Sequence, residues 1–414
     1  MTTAQQPQQG AATTPAATRA ALDPNEASTN RLLVVGIDGN LFTITPDGSS
    51  RFPLTTDAGP QRSYTQPTWS ATGERIAWTL IERADGVRGS LITTSANGTT
   101  ATRTATLFPP FYLYWSPDDS KVAYLSSWLR DNQPTIALHV ADIVAPTDAG
   151  SSAARAVAAT PVGVGQPFYF SWAPSSDRMI AHVGNREVIL IDLVAQEPTV
   201  LVEDSANFAA PQWVGQDGAS NRLLYVIQDE NTAQLILSDA AGENEEFLTY
   251  LARQDFVSFS MNAPGNQIAY IETAEMVGFN AFGPLFLYDL EREIFEQLSN
   301  DPAIAFFWSP NGTALYFLTV EPTAEQIWLR VNVWDGVTVR QYARFVPSPS
   351  FARDYLPFAD QYMQSMRFWA PDSSAVVYTG QAENGTAGVW VQPIAEGAAP
   401  RLVVAGTFAT WSPR

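Results

Sequence analysis

The sequence predicts an all-β fold, an eight-bladed β-propeller with seven blades as the fallback. Three observations predict it. A Trp-centred unit recurs along the chain, the intervals between copies suit four short strands each, and the two chain ends read as complementary parts of one further unit. The copies are PTWSATGERIAW (Trp69), LYWSPDDSKVAY (Trp115), FSWAPSSDRMIA (Trp172) and PQWVGQDGASNRLLY (Trp213). They continue as FSMNAPGNQIAY (Met261 in place of Trp), FFWSPNGTALY (Trp308), RFWAPDSSAVVY (Trp369) and ATWSPR (Trp411). Their spacings are 46, 57, 41, 48, 47, 61 and 42 residues. The fallback applies if the Met261 unit or the irregular Trp213 unit is not a blade.

Taken in order, residues 1–29 are rich in Thr, Ala, Gln and Pro and hold no aromatic residue, Ile or Val. Such a stretch buries too little apolar area to offset its ordering entropy, so it reads as a disordered tether ahead of one domain, 30–414. Next come three strands with no Trp before them, Arg31–Gly36, Asn40–Thr45 and Ser50–Thr55. The chain stops just after a first strand, at Trp411-Ser412-Pro413-Arg414. One C-terminal inner strand beside three N-terminal strands would complete a blade, close the ring and remove an open edge. Within the units, the Trp115 copy predicts a turn at Asp118-Asp119 and strands over Lys121–Ser126 and Thr135–Val140. The Trp308 copy predicts a turn at Asn311-Gly312, then strands over Ala314–Val320 and Ile327–Val333. Each Trp closes an inner strand, where a large flat ring fills the wedge between neighbouring blades.

Composition narrows the function. Lys plus Arg is 23 against 42 Asp plus Glu, a net charge of −19, which argues against nucleic acid and anionic membrane surfaces as partners. The mean hydropathy of −0.08 suits a soluble globular chain, and no apolar run reaches the length of a membrane span. With no Cys and two His, disulfides, thiolate metal sites and cysteine nucleophiles are ruled out. No cofactor or metal is expected. The tether resembles in composition the spacers between a membrane anchor and an envelope domain. An extracytoplasmic protein, lipid-anchored, secreted or periplasmic with its signal removed, is therefore expected, ahead of a cytoplasmic protein with a floppy tail. A monomer is expected.

The W-S-P-D/N-G/D…I/V-A-Y unit resembles the repeat of the TolB-type propellers, relatives of the WD-repeat propellers, over residues 30–414. Seven of the eight copies carry the Trp, and Pro follows two residues later in four internal copies and the last. The resemblance implies the fold, and a protein-binding platform of the bacterial envelope. A similar propeller also caps dipeptidyl-peptidase and prolyl-oligopeptidase enzymes, where a hydrolase domain follows. The expectation here is of a chain without that domain.

No G-x-S-x-G elbow, H-E-x-x-H, G-x-x-x-x-G-K-[ST] or G-x-G-x-x-G after a strand is present. His139 and His182 read as sheet residues. The chain is therefore expected not to be an enzyme. The competing reading is a carbohydrate-binding or carbohydrate-active protein using paired carboxylates at the channel mouth. A partner protein is expected where the chain enters the inner strands. One entry is Phe108-Pro109-Pro110-Phe111-Tyr112, with Pro167-Phe168-Tyr169-Phe170 in the next unit. The other is the insertion 345–366, which accounts for the 61-residue spacing. The candidate binding residues are Phe111, Tyr112, Phe168, Tyr169, Phe351, Arg353, Tyr355, Phe358, Tyr362 and Arg367, because aromatic residues and Arg dominate binding hot spots. The same aromatics would also suit a plug packed into the ring. A Gly/Ser link in place of 348–360 is expected to keep the fold and abolish binding.

Overall fold

A computed structural model describes residues 22–414, except 144–153, 157–160, 185, 196, 206–208, 216–220, 229–231, 252–255, 274–275, 278–279 and 324–325. The chain is nearly all β, laid out among the described residues as four four-stranded sheets, one of five strands, one of ten and a two-stranded ribbon, antiparallel except for one short parallel pair. Strands form where β-branched and aromatic residues line a pleat buried between neighbouring sheets. In Arg75–Glu82, for example, five consecutive residues, Ile76 to Leu80, are buried.

The two chain ends share a sheet. Strand Gly406–Trp411 pairs antiparallel with Leu32–Gly36, Leu32 opposite Trp411 and Val35 opposite Phe408, and Leu41–Ile44 and Arg51–Pro53 follow outward. Beyond the ladder, Ser412 N donates to Arg31 O at 2.8 Å and Arg31 N donates to Ser412 Oγ at 2.9 Å. Four further sheets begin on the inner strands Arg62–Trp69, Phe111–Trp115, Tyr169–Trp172 and Gln212–Val214. A ten-stranded sheet runs from Phe256–Met261 to Arg401–Val404. It is continuous because strand Ile294–Trp308 pairs with Gly283–Asp289 along one half and with Leu315–Pro322 along the other.

The repeat residues do separate jobs. Trp172 Nε1 donates to Tyr114 O at 3.2 Å, Trp308 Nε1 to Ser260 O at 3.0 Å and Trp369 Nε1 to Phe307 O at 2.9 Å. Each acceptor directly precedes the repeat position (Trp115, Met261, Trp308) of the preceding unit, so the indole both fills the wedge and ties one sheet to the next. The Ser after Trp holds the turn. Ser116 Oγ accepts from Lys121 N at 2.9 Å and Ser309 Oγ from Ala314 N at 2.9 Å. In the turn at Asn311-Gly312, Gly312 has φ 70°, and a Cβ there would lie 2.3 Å from Pro264 Cδ.

Two expectations need correction. The end of the segment read as a tether is folded: Pro24–Ser28 is a helix capped by Asp23, with Ala27 buried against Leu33, Leu41 and Trp69. One small apolar side chain facing a ready pocket suffices there, a signal composition hides. Residues 1–21 lie outside the described residues. The hairpin after Trp115 is longer than expected, Lys121–Arg130 with Gln133–Asp142, because Asp131 and Asn132 both take positive φ and make a tight turn. The outer edge of that sheet is Gly163–Val164, reached after an excursion to the neighbouring sheet. Ala154–Ala156 pairs in parallel with Ala101–Thr106 of the neighbouring sheet, and Gly163–Val164 returns to pair with Gln133–Asp142.

Candidate functional site

The insertion enters the ring and divides its channel. Ser348 caps helix Pro349–Asp354, accepting from Phe351 N at 3.2 Å, and Leu356–Phe358 and Ala359–Tyr362 complete a compact plug. It grips inner strands around the ring. The Gln361 amide imitates a strand neighbour, its Nε2 donating to Phe170 O and its Oε1 accepting from Phe170 N, both at 2.9 Å. Tyr112 Oη donates to Gln361 O at 3.0 Å, and Tyr362 Oη to Gln66 Oε1 at 2.7 Å. Gln364 Nε2 donates to Pro211 O at 3.4 Å. Tyr355 stacks on Phe408 with centroids 3.9 Å apart. Gln66 and Tyr112 reach the plug because each sits at a break in strand register with positive φ, 55° and 48°. A bulge of this kind turns a side chain away from its pleated face.

This geometry sorts the candidate residues. Tyr112, Tyr169, Phe351, Tyr355 and Tyr362 are buried; Phe351 and Tyr355 pack in the core, whereas Tyr112, Tyr169 and Tyr362 also line the cavity on the strand-entry side. A Gly/Ser link for 348–360 would remove Phe351 and Tyr355 from the core, so that replacement would not spare the fold. Phe111, Phe168 and Phe358 are half-buried and line a largely apolar cavity of about 470 Å³ on the strand-entry side of the plug. Arg353 stands exposed at its rim, paired with Asp354 at 2.6 and 2.7 Å.

Arg367 lies on the other side. The plug passes from Tyr362, which lines the entry cavity, to Met363–Arg367, which line two adjoining cavities of about 440 and 420 Å³. These open among the Trp-Ser-Pro turns and include Pro117, Pro174, Pro310, Pro371 and Pro413. The repeat side chains divide accordingly. Trp69, Trp115, Trp172, Trp369 and Trp411 are buried, whereas Trp213, Met261 and Trp308 are half-buried and line this side.

Burial sets the electrostatics. It pushes the phenols of Tyr112 and Tyr355 well up, that of Tyr114 up to about 12, and the Asp360 carboxyl up to about 7. Desolvation also lowers Arg367. Sequence reasoning missed Gln66, Asp360, Gln361 and Gln364. For the last three the available signal was polar residues, two of them amides, inside an otherwise aromatic insertion, whereas Gln66 lies on strand Arg62–Trp69 outside it. Asp354 is the one carboxylate among the residues lining the three cavities, so none of them presents a glycosidase pair. His139 stacks on Tyr124 at 5.1 Å, and both His are buried on strands. Among the described residues no group of three or more His, Asp or Glu is placed to hold a metal ion. No helix among them is long and apolar enough to cross a membrane.

No family model and no curated protein matches the chain. Several solved structures are similar to it, all at low identity. TolB from Acinetobacter baumannii is 18% identical, with a TM-score of 0.39 and 65% of each chain covered. The β-propeller domain of the Trilobed protease from Pyrococcus furiosus is 11% identical, with a TM-score of 0.48, 84% of this chain and 99% of that one covered. An oligogalacturonate lyase in complex with manganese is 10% identical, with a TM-score of 0.44 and 91% and 86% covered. The expectation that the chain is not an enzyme is corrected here: the similar solved structures include an oligogalacturonate lyase and a domain of a protease, and the lack of a catalytic motif does not make the chain a non-enzyme. At these identities and TM-scores the likeness assigns no family, activity or partner, and the all-β architecture stands on the strand pairing described above.

Proposed function

We propose that the chain is an eight-bladed propeller working outside the cytoplasm as a scaffold that binds a protein partner on its strand-entry face. The observation that carries the reading is the entry cavity. It is concave and apolar, it is walled by Phe111, Phe168 and Phe358, and it has the Arg353–Asp354 pair at its rim. An aromatic pocket inside a charged rim is the usual anatomy of an interface anchor site. The net charge of −19 favours a partner with a basic surface that offers one apolar side chain to the pocket. The extracytoplasmic location rests on the Thr/Ala/Gln/Pro-rich residues 1–29.

A photo-crosslinking residue at position 358 tests this, with position 337 as control because Val337 is 80% exposed and remote from the cavity lining. Extracts of the native cells, separated into envelope and cytosol, should give a discrete adduct from 358 in the envelope fraction. That adduct should weaken as salt is raised and disappear with Asp354→Arg, which turns the rim against a basic partner. The same adducts from 358 and 337 would defeat the proposed site, and an adduct confined to cytosol would defeat the location.

A further inference from the structure

Arg367 is a half-buried cation whose guanidinium has no partner among the described residues. Its backbone is fixed on the inner face of the ring, its carbonyl accepting from Trp411 N at 2.7 Å and from Thr410 Oγ1 at 3.0 Å. Its guanidinium makes no hydrogen bond or ion pair to any described residue and projects into the turn-face cavities. The carboxylate that acts on it from a distance, Asp119, is already engaged by Ser70 Oγ at 2.7 Å and by the backbone N and hydroxyl of Thr72. Tyr114, the other polar ring on this wall, donates its hydroxyl to no described residue. Three of the Trp lining the second cavity, Trp69, Trp115 and Trp213, carry buried indole N–H groups without acceptors among the described residues. Among the residues lining these cavities Arg367 is the one cation, and no carboxylate lines them. A guanidinium left without a protein partner at a cavity wall can donate charge-assisted hydrogen bonds to an anion that enters.

We propose that the turn-face cavity binds a monoanionic carboxylate, held by the Arg367 guanidinium with the Tyr114 hydroxyl as second donor. One guanidinium matches one negative charge in a bidentate fork. A dianion would leave a charge uncompensated between the Trp walls of a chain that already carries −19. The carboxylate can belong to a free organic acid or to the C-terminus of a peptide entering between the turns. This site lies across the plug from the entry cavity and does not rest on the partner reading above.

Calorimetric titration of the full chain decides it, with phenylacetate, the tripeptide Ala-Ala-Phe, its C-terminal amide, and sulfate as probes. At least one of the two acids should bind with a dissociation constant near or below about 1 mM, and the tripeptide acid at least about tenfold more tightly than its amide if the peptide is the binder. Saturation by phenylacetate alone assigns a free acid, and saturation by the tripeptide alone assigns a chain terminus. Arg367→Gln should weaken the binding acid at least about tenfold and Tyr114→Phe a few fold. The proposal is overturned if neither acid binds at about 10 mM, if amide and acid bind alike, if sulfate binds more tightly than both acids, or if Arg367→Gln binds as the parent does. The comparison of acids with amide and sulfate uses the unmodified protein, so it decides even if a variant fails to fold.

Discussion

Arg31 and Arg367 flank the same strand. Ser412, just past strand Gly406–Trp411, donates its N–H to Arg31 O, and Trp411 donates to Arg367 O. Desolvation lowers both guanidinium pKa values. The difference lies in what the side chains meet. Arg31 is 2% exposed and hydrogen-bonded inside the seam, its Nε to Thr43 Oγ1 at 3.0 Å and one terminal nitrogen to Ser50 O at 2.7 Å. Arg367 meets open cavity. A buried cation whose acceptors belong to the chain serves the fold. Arg367, half-buried at a cavity wall without acceptors among the described residues, is placed to meet an acceptor from outside.

Loss of stability is the measurement that separates them. Arg31→Ala strands Thr43 and the Ser50 carbonyl in the seam and opens a cavity between the chain ends. Denaturant titration should show a loss of about 3–5 kcal/mol. A loss below about 1 kcal/mol, the range of ordinary surface changes, would show that the seam does not depend on this side chain.

The plug adds a third desolvated group, and its sign is opposite. Burial holds the Asp360 carboxyl up at about 7, while in the unfolded chain it ionises near 4. Between those values the native chain keeps a proton that the unfolded chain has lost, so stability falls as pH rises through the window. The full loss, on the order of 2–4 kcal/mol, is reached above about pH 7. Asp360→Asn should therefore match the parent near pH 4 and exceed it at pH 8 in denaturant titrations run at both values. A parent and variant with parallel pH profiles would place the carboxylate in contact with water.

Much of the ring was legible because its rules are local. Each Trp sits one strand from its turn, the Ser after it holds that turn, and Val, Ile and aromatic residues alternate within a few positions. The expected strands Arg31–Gly36, Asn40–Thr45 and Ser50–Thr55 correspond to Leu32–Gly36, Leu41–Ile44 and Arg51–Pro53, and the last strand pairs with the first of them. The site was less legible because it depends on departures from those rules. A register break at Gln66 or Tyr112 reverses which side of a strand a residue faces, and no local pattern marks it. The aromatics of the insertion met both descriptions, a docking loop and a plug. Only the partners of Gln361 and Tyr362, 191 and 296 residues away in sequence, decide between them. Arg367 was singled out together with the entry-side aromatics. It belongs to the opposite cavity because the plug ends between Tyr362 and Met363.

The smallest expected effect is the most discriminating. Arg367→Gln keeps much of the stem and a hydrogen-bonding end but removes a positive charge that no described residue pairs with. Taking away an unpaired, desolvated charge relieves a cost, and losing its packing imposes one of similar size. Stability by denaturant titration should therefore stay within about 1 kcal/mol of the parent in either direction, against the several lost at Arg31. If Arg367→Gln instead loses as much as Arg31→Ala, the guanidinium has acceptors within the fold, the two arginines are alike, and the turn-face cavity loses its reason to hold an anion.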